Sequence, residues 1–330
     1  MNNIQFEFIS PESLWYTEAK NLRYTAFYKP AHLPETVVCD EKESISTHLV
    51  CTDGRRLLGY GRLTIEGEIG QISQLAVVPD ERKRGIGRGI MAALIKKSAQ
   101  EGAKKIFLNA RTAVIPFYLP FGFEATGAIF PSSKTGIPHR RMEKNLNTVV
   151  YFVRHAAPDF SEKRDAVRPL TAEGKKEAEK LKSRFENIYI DAVYSSPYLR
   201  AMDTVRPIAE DRQLPIQLVD DFRERKISDG WIENFGAYAQ KQWEDFDYKM
   251  PEGESLRDVQ NRTVSALKIL LSENRGSQVI IGSHGTALSA LLNHYDSGFD
   301  YHAFEAIKNK MPWVVKCTFD GEILQKIEPE

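Results

Sequence analysis

The stretch Val149-Val150-Tyr151-Phe152-Val153-Arg154-His155-Ala156 constrains the fold of this chain more than any other. A run of β-branched and aromatic residues suits a strand buried on both faces of a sheet. The run stops on an arginine and a histidine. Open α/β sheets bind ligands outside the carboxyl ends of their strands, so these two are candidate site residues. A second strand repeats the arrangement. Gln278 to Gly282 is largely apolar and leads into Ser283-His284-Gly285-Thr286.

Around these strands, apolar runs alternate with helical patterns. Thr171 is an N-cap for a helix to about Phe185. Asp191 to Ser195 reads as a strand, and Ser196-Pro197 opens a helix that carries Arg200. Pro215 to Val219 is a short strand, and Pro251 to Ser255 opens a long helix through about Ser272. A helix follows Gly285, and Val314 to Phe319 is a last strand. The alternation predicts a parallel-dominated α/β sheet with covered faces. Trp231 to Lys249 reads as an insertion over a site. His155, His284, Arg154 and Arg200 all follow strand ends, which makes a cationic pocket.

The first half has a different rhythm. Ile4 to Ile9 alternates like a half-buried strand, and Pro11 to Phe27 is helical. Thr47 to Thr52 and Leu57 to Ile65 flank an Asp53-Gly54 turn, which predicts a hairpin. Ile69 to Val78 is a third strand. The loop Pro79-Asp80-Glu81-Arg82-Lys83-Arg84-Gly85-Ile86-Gly87-Arg88-Gly89 then leads into a helix that stops near Gly102. Glycines allow close backbone approach, a helix start offers free N–H groups, and Arg82, Arg84 and Arg88 add charge. The loop is suited to phosphate, yet it lacks the Gly-Lys-Ser/Thr ending of a P-loop and the spacing of a dinucleotide fingerprint.

The bulk numbers exclude several classes. The length of 330 residues suggests two domains at roughly 100–200 residues each. The 45 basic residues balance the 45 acidic ones, so nothing calls for nucleic acid or an anionic membrane. Cys39, Cys51 and Cys317 have no metal or disulfide spacing, and the amino terminus does not read as a signal peptide. No apolar run is long enough to span a bilayer. These points lead us to expect a cytoplasmic location.

Gln74-Leu75-Ala76-Val77-Val78 followed by Arg82-x-x-Gly85-x-Gly87 resembles the pyrophosphate loop of the GCN5-related N-acetyltransferases. Phe117-Tyr118 and Gly122-Phe123 resemble the helix and turn that close the acetyl-CoA site in that family, and Gly136 to Met142 resembles its last strand. The resemblance covers about residues 1–146. It implies a mixed, mostly antiparallel sheet with flanking helices, and acetyl-CoA as cofactor. Amides from Gly85 to Gly89, with Arg82 and Arg88, would hold its pyrophosphate. Leu75, Ala76 and Val77 would pair with the pantetheine arm and offer an oxyanion amide. Asn109 would contact the cofactor, and Tyr118 would protonate the leaving thiolate. The base for the amine is open, with Glu43, Glu66 and Glu68 as candidates.

In the second half, Arg154-His155, Ser195-Ser196-Pro197 with Arg200-Ala201, Glu224, Gly253-Glu254-Ser255 and Ser283-His284-Gly285 resemble the histidine phosphatase superfamily. This covers about residues 148–330 and implies a mostly parallel, three-layer α/β/α sandwich of the phosphoglycerate mutase-like fold. Ala156 departs from the common Arg-His-Gly, and a changed local backbone is expected there. His155 would be the nucleophile that becomes phosphohistidine. Arg154 and Arg200 would clamp the phosphoryl oxygens, and a protonated His284 would add a donor. Glu224 would protonate the leaving oxygen and then activate water, a role that needs a raised pKa. Ser196 and Arg168 would add phosphate contacts, while His139, His294 and His302 read as structural. No metal or cofactor is expected for this half.

Together these readings give a bifunctional enzyme, an acetyl-CoA-dependent N-acetyltransferase fused to a metal-independent phosphatase. Its partners would be a small amine and small phosphomonoesters, with no nucleic acid and no membrane. The short junction Leu146-Asn147-Thr148 suggests domains held close. Phosphoglycerate mutase activity is an alternative for the second half, although that half is short for the mutases. A first half that only senses acyl-CoA is an alternative of another class, as is a pair of domains with unrelated substrates.

Overall fold

The computed structural model describes residues 4–228 and 234–329. The chain forms two compact α/β units, Met1–Leu146 and Asn147–Glu330.

The first unit has the strands β1 (Gln5–Ile9), β2 (Ser46–Thr52), β3 (Leu57–Glu66), β4 (Ile69–Val77), β5 (Lys105–Arg111), β6 (Glu124–Pro131) and β7 (Pro138–Asn145). Its helices are α1 (Leu14–Arg23), α2 (Ile86–Gln100) and the single turn α3 (Ile115–Tyr118). The strand order is β1-β2-β3-β4-β5-β7-β6. All neighbours are antiparallel except β4 and β5, which pair in parallel only at Ile69–Gln71 with Lys105–Phe107. Beyond these pairs the two strands part.

Two features fix this opening. Ile86, Ile90, Met91, Leu94 and Ile95 form the buried face of α2. β3 receives this face because it carries glycine. A Cβ on Gly61 would lie 2.7 Å from Ile90 Cγ2 and 2.8 Å from Leu94 Cδ1. In β4, the register with β3 shifts opposite Tyr60 and Arg62, and Gln74 takes a left-handed φ of 54°. Arg23, fully buried, holds this bulge by donating to Gln74 Oε1 and to both carboxylate oxygens of Glu43. Arg62 donates to Ser73 Oγ at 3.0 Å.

One expectation fails here and one strand goes unread, for the same reason. β1 is not half-buried: Gln5–Phe8 are exposed, because β1 is an edge strand paired only with β2. β6 has no counterpart in the sequence reading. It is the other edge, a largely exposed Glu-Ala-Thr-Gly-Ala-Ile-Phe-Pro without alternation. Edge strands bury little, so they leave little periodic signal.

In the second unit the strands are β8 (Thr148–Arg154), β9 (Ala192–Ser195), β10 (Ile216–Leu218), β11 (Gln278–Ser283), β12 (Trp313–Asp320) and β13 (Ile323–Pro329). The helices are α4 (Ala172–Arg184), α5 (Leu199–Arg212), α6 (Phe235–Glu244), α7 (Leu256–Glu273), α8 (Gly285–Tyr295) and α9 (Tyr301–Ile307). The order is β10-β9-β11-β8-β12-β13. The first four strands are parallel, and β12 and β13 are antiparallel to their neighbours. β8 sits inside this sheet and is buried on both faces. Val150 and Phe152 pack with Ile281, Leu288 and Leu291, while Tyr151 and Val153 pack with Phe185, Val205 and Ile208. Alternation across a pleated strand sends these two sets to opposite faces. Thr171 caps α4 by accepting from Gly174 N at 3.0 Å, and Ser255 and Asp258 form a capping box on α7.

Candidate active sites

Where β4 and β5 part, a cavity of about 810 Å³ opens in the first unit, a size typical of small-molecule sites. Leu75, Ala76 and Val77 line it from β4, and Asn109 and Arg111 from β5. The loop before α2 and its first turn supply Arg82, Lys83, Gly85, Gly87 and Arg88, and α3 supplies Tyr118. Gly85, the residue before α2, has φ 82°, where an L side chain is strained. Gly89 N donates to Gly85 O at 3.0 Å, the first bond of the helix. The N–H groups of Ile86, Gly87 and Arg88 precede it and have no intrahelical acceptor. Three unspent amides at a helix start, with the exposed Arg82 and Arg88 beside them, fit a pyrophosphate.

Two expected members of this loop fall out. The Gly89 amide is spent inside the helix and does not line the cavity; a Cβ there would collide with the Phe6 ring. Arg84 is tied to Glu81, which also binds Arg56. Lys83, at φ 65°, faces the cavity instead.

Tyr118 packs between Phe117 and Phe123, with ring centroids 5.0 and 6.2 Å away. Burial pushes its hydroxyl up to about 12, with Arg111 pulling the other way. It therefore keeps its proton at neutral pH, as a proton donor must. None of the three acids expected as candidate bases lines the cavity. Glu43 is locked to Arg23 and Arg62 at 2.6 and 3.0 Å. Glu66 pairs with Lys42, and Glu68 with Lys104, each at 2.6 Å. His139, expected to be structural, does line it. Its Nδ1 is 2.8 Å from Ile137 O. A carbonyl only accepts, so Nδ1 carries the hydrogen, and in the neutral ring the lone pair is on Nε2. His139 lies opposite Arg111 in the β5–β7 register, a pairing that only coordinates reveal.

In the second unit β8 and β11 are parallel neighbours, with Arg154 opposite Ser283. His155 and His284 therefore emerge together, their ring centroids 5.3 Å apart. His155 Nδ1 lies 2.8 Å from Ala156 O, so it carries the hydrogen and leaves Nε2 with a lone pair. Burial, and next the Arg200 guanidinium, hold this imidazole well below its usual range. It is the neutral, nucleophilic form. Ala156 N donates to Thr204 Oγ1 at 2.9 Å. The left-handed non-glycine residues among those described are His32, Gln74, Lys83 and Gln213. Ala156 is not one of them, so its methyl brings no backbone strain.

His284 is wholly buried, and its Nε2 lies 2.8 Å from Ser196 Oγ. Nδ1 has no partner among the described residues. Burial, with Arg200 nearby, pushes the pKa well down. The expectation of a protonated His284 is thus corrected: its hydrogen-bond partner is the Ser196 hydroxyl, and burial with Arg200 nearby disfavours the charge.

The arginines are more committed than expected. Arg154 Nη1 donates to Ile307 O and Lys308 O at 2.7 and 3.0 Å, at the end of α9. Its Nε is buried without a partner among the described residues, so one side of the guanidinium is anchored and the other is open. Arg200 donates to Asp165 O at 2.6 Å and to Asp165 Oδ2 at 3.3 Å. Arg168 is not free for phosphate: its nitrogens donate to Glu162 O, Asp165 Oδ1 and Lys163 O at 2.9, 2.5 and 3.1 Å. Asp165, which the sequence did not single out among the acids of its loop, thus sits between two arginines.

Glu224 is not a surface acid paired with its neighbours' side chains. Its carboxylate accepts from Thr286 N and Ala287 N, both at 3.2 Å, and from Arg225 N at 2.9 Å. It stands at the N-terminus of α8, next to His284. Glu254 fixes the segment that carries it. Arg262 donates to Glu254 Oε1 and Oε2 at 2.8 and 3.1 Å and to Arg223 O at 3.0 Å. Burial alone would raise the Glu254 pKa, but these bonds hold it below the usual value. Residues 231–233, the start of the expected insertion, lie outside the described residues. The rest is mainly α6, which packs Phe235 and Tyr238 on the buried Arg225 at 5.3 and 5.5 Å. Among the described residues no group of His, Cys, Asp and Glu is arranged to hold a metal, and no helix is long and apolar enough to cross a membrane.

Residues 150–325 match the family model "Histidine phosphatase superfamily (branch 1)", over more than half of the chain. The chain belongs to the histidine phosphatase superfamily. Residues 12–146 match "Acetyltransferase (GNAT) domain", so this superfamily member carries a GNAT domain before its phosphatase domain. The Bacillus subtilis (strain 168) protein named "Uncharacterized N-acetyltransferase YjcF" is 34% identical over 132 residues, 39% of this chain and 91% of that protein. The "Probable phosphoglycerate mutase GpmB" of Shigella dysenteriae serotype 1 (strain Sd197) is 28% identical over 158 residues, 44% of this chain and 73% of that protein. Among solved structures, Bacillus stearothermophilus YhfR gives a TM-score of 0.47 at 24% identity, covering 54% of this chain and 94% of that one. The chain is an enzyme with a transferase domain and a hydrolase domain.

Proposed function

We propose that the chain is bifunctional: a metal-independent phosphomonoesterase acting through phosphohistidine on His155, and an acetyl-CoA-dependent N-acetyltransferase. The observation that carries the phosphatase reading is the His155 tautomer. Nδ1 is tied to Ala156 O, which leaves Nε2 free beside Arg154, Arg200 and His284. Nε2 attacks phosphorus in line, and the bond to the leaving oxygen breaks. Glu224, protonated as the anionic substrate binds, delivers its proton to that oxygen; the carboxylate that results is the form held by Thr286 N, Ala287 N and Arg225 N, and it takes a proton from the water that cleaves the phosphohistidine. The open side of Arg154 and the planar fork of Arg200 match the oxygens of the transferring group, with Arg200 exchanging Asp165 for phosphate. The likeness to GpmB supports one second reading, phosphoryl transfer between phosphoglycerates.

In the first half, acetyl-CoA supplies the activated acetyl group. The amides of Ile86, Gly87 and Arg88 would hold its pyrophosphate, and the free edge of Leu75–Val77 would orient the thioester. As the amine nitrogen bonds to the acetyl carbon and the carbon–sulfur bond breaks, Tyr118 would give its proton to the sulfur and His139 Nε2 would take the proton of the amine.

Incubation of the full chain with p-nitrophenyl phosphate and a phosphomonoester panel, wild type against His155→Ala, tests the hydrolase. Absence of any activity above the variant would sink it. Phosphoglycerate interconversion in place of phosphate release selects the mutase reading. Titration with acetyl-CoA tests the transferase, and absence of binding rejects it.

A further inference from the structure

We propose that the acetyl acceptor is an amine that also carries an anionic group, a carboxylate or a phosphate, and that Arg111 recognises that group. This rests on the acetyltransferase reading of the cavity.

Arg111 ends β5. The parallel pairing of β4 with β5 stops at Gln71–Phe107. Arg111 lies as far beyond Phe107 as Leu75 lies beyond Gln71. It therefore lines the gap at the level of Leu75, short of Val77 and the loop that leads to α2. Tyr118 feels its charge, and His139 is its register partner on β7. The proton donor, the free imidazole and this cation line the same cavity.

The guanidinium is held but not neutralised. Its Cζ lies 5.4 Å from the centroid of Phe27, which fixes the plane. No carboxylate among the described residues pairs with it. Elsewhere in the first unit, Arg23, Arg56, Arg62, Arg84 and Arg141 each have an acidic partner, while Arg55 and Arg140, away from the cavity, have none among the described residues. The cavity arginines Arg82, Arg88 and Arg111 have none among the described residues. For Arg82 and Arg88 the pyrophosphate explains this. Arg111 comes from β5 and not from the phosphate loop, and its charge lines the cavity beside Tyr118 and His139, where it suits a second anion.

The charge also bears on the chemistry. An amine must lose its proton before it attacks, and a nearby cation disfavours the ammonium form. A polyamine or a lone lysine-like ammonium would meet net repulsion beside Arg111. An amine that brings its own carboxylate or phosphate satisfies the guanidinium with a two-pronged charge-assisted pair and meets no net repulsion there.

The test uses the full chain and matched acceptors: L-methionine against L-methioninamide, O-phosphoethanolamine against ethanolamine, and spermidine. Thiol release from acetyl-CoA is followed for wild type, Arg111→Gln and Arg111→Glu. Each acceptor is also titrated calorimetrically onto the CoA-loaded protein, and acetyl-CoA affinity is measured for each variant. The anionic member of at least one pair is expected to react at least about tenfold faster than its partner. Arg111→Gln should erase that ratio through KM, with acetyl-CoA affinity within about twofold of wild type. Which pair discriminates tells carboxylate from phosphate. Equal rates within both pairs, preference for spermidine, or a ratio untouched by Arg111→Gln overturns the proposal while acetyl transfer stands. So does a large loss of acetyl-CoA affinity in Arg111→Gln, which would assign Arg111 to the cofactor. If nothing reacts but an anionic amine binds in an Arg111-dependent way, the proposal stands and the transferase reading falls. If no anionic amine reacts or binds, the proposal falls.

Discussion

His284 and Ser196 meet at 2.8 Å through Nε2 and Oγ, in a place with no exposure for either residue. The imidazole is neutral because burial, with Arg200 nearby, disfavours its charge, and His155 shares that condition. Both pKa values lie below the ordinary value of 6.5. The unfolded chain then binds more protons than the folded one once pH falls under that value. Each histidine should thus cost about 1.4 kcal/mol of stability per pH unit below it, until its folded pKa is reached. The stability is complete above 6.5 and lost on acidification. Calorimetry of the full chain between about pH 7 and pH 5 should show a smaller drop in Tm for His284→Asn than for wild type. An equal drop would mean that His284 is charged in the folded state.

Gly285 makes a different prediction. A Cβ there would lie 3.0 Å from Arg154 Cζ and Nε, so the guanidinium would have to yield. Overpacking of this kind costs about 1–3 kcal/mol, and Arg154 cannot retreat easily from Ile307 O and Lys308 O. Gly285→Ala should lower kcat/KM for phosphate release about tenfold or more and lower Tm by roughly 2–10 °C. Wild-type kinetics in that variant would show that the position of Arg154 does not matter.

Tyr118 and His139 should separate by pH. Tyr118 keeps its proton up to about 12, so it adds no falling limb to the acetylation profile in the ordinary range. Tyr118→Phe should lower kcat by roughly 100-fold and leave acetyl-CoA binding intact. His139→Gln should lower the rate by a similar factor, and alkaline pH should restore part of it, because the amine then arrives deprotonated. Equal loss at every pH in both variants would remove His139 from proton transfer.

Gly87→Glu addresses the phosphate loop. A Cβ on Gly87 meets Phe117 Cζ at 3.4 Å, an ordinary contact, so the variant should fold. Its carboxylate then occupies a helix start that fits an anion. Acetyl-CoA affinity should fall by roughly 100-fold or more. Unchanged affinity in a calorimetric titration would place the cofactor elsewhere.

What the sequence made legible follows from which interactions are local. The buried run at Val149–Val153 and the glycine loop before α2 are contiguous, and both carry strong patterns. His155, Arg200, Glu224 and His284 could be singled out one by one. Their commitments could not, because these are long-range. Arg154 is held by carbonyls more than 150 residues away. The competition of Asp165 for Arg200 and the Glu254–Arg262 fork have no sequence period. His139 was missed because its register with Arg111 depends on β5–β7 pairing. Gly89 was misplaced because one turn of helix decides whether an amide is spent. The edges β6 and β13 were overlooked because they bury little.

The most direct measurement is to quench the full chain in base during turnover of a labelled phosphomonoester and to locate the covalent phosphate. A neutral His155 with Nδ1 tied to Ala156 O predicts acid-labile, base-stable phosphate on His155 in wild type. It predicts none in His155→Ala, which should also release no phosphate. Label on another residue, or phosphate release by His155→Ala at the wild-type rate, would contradict the account.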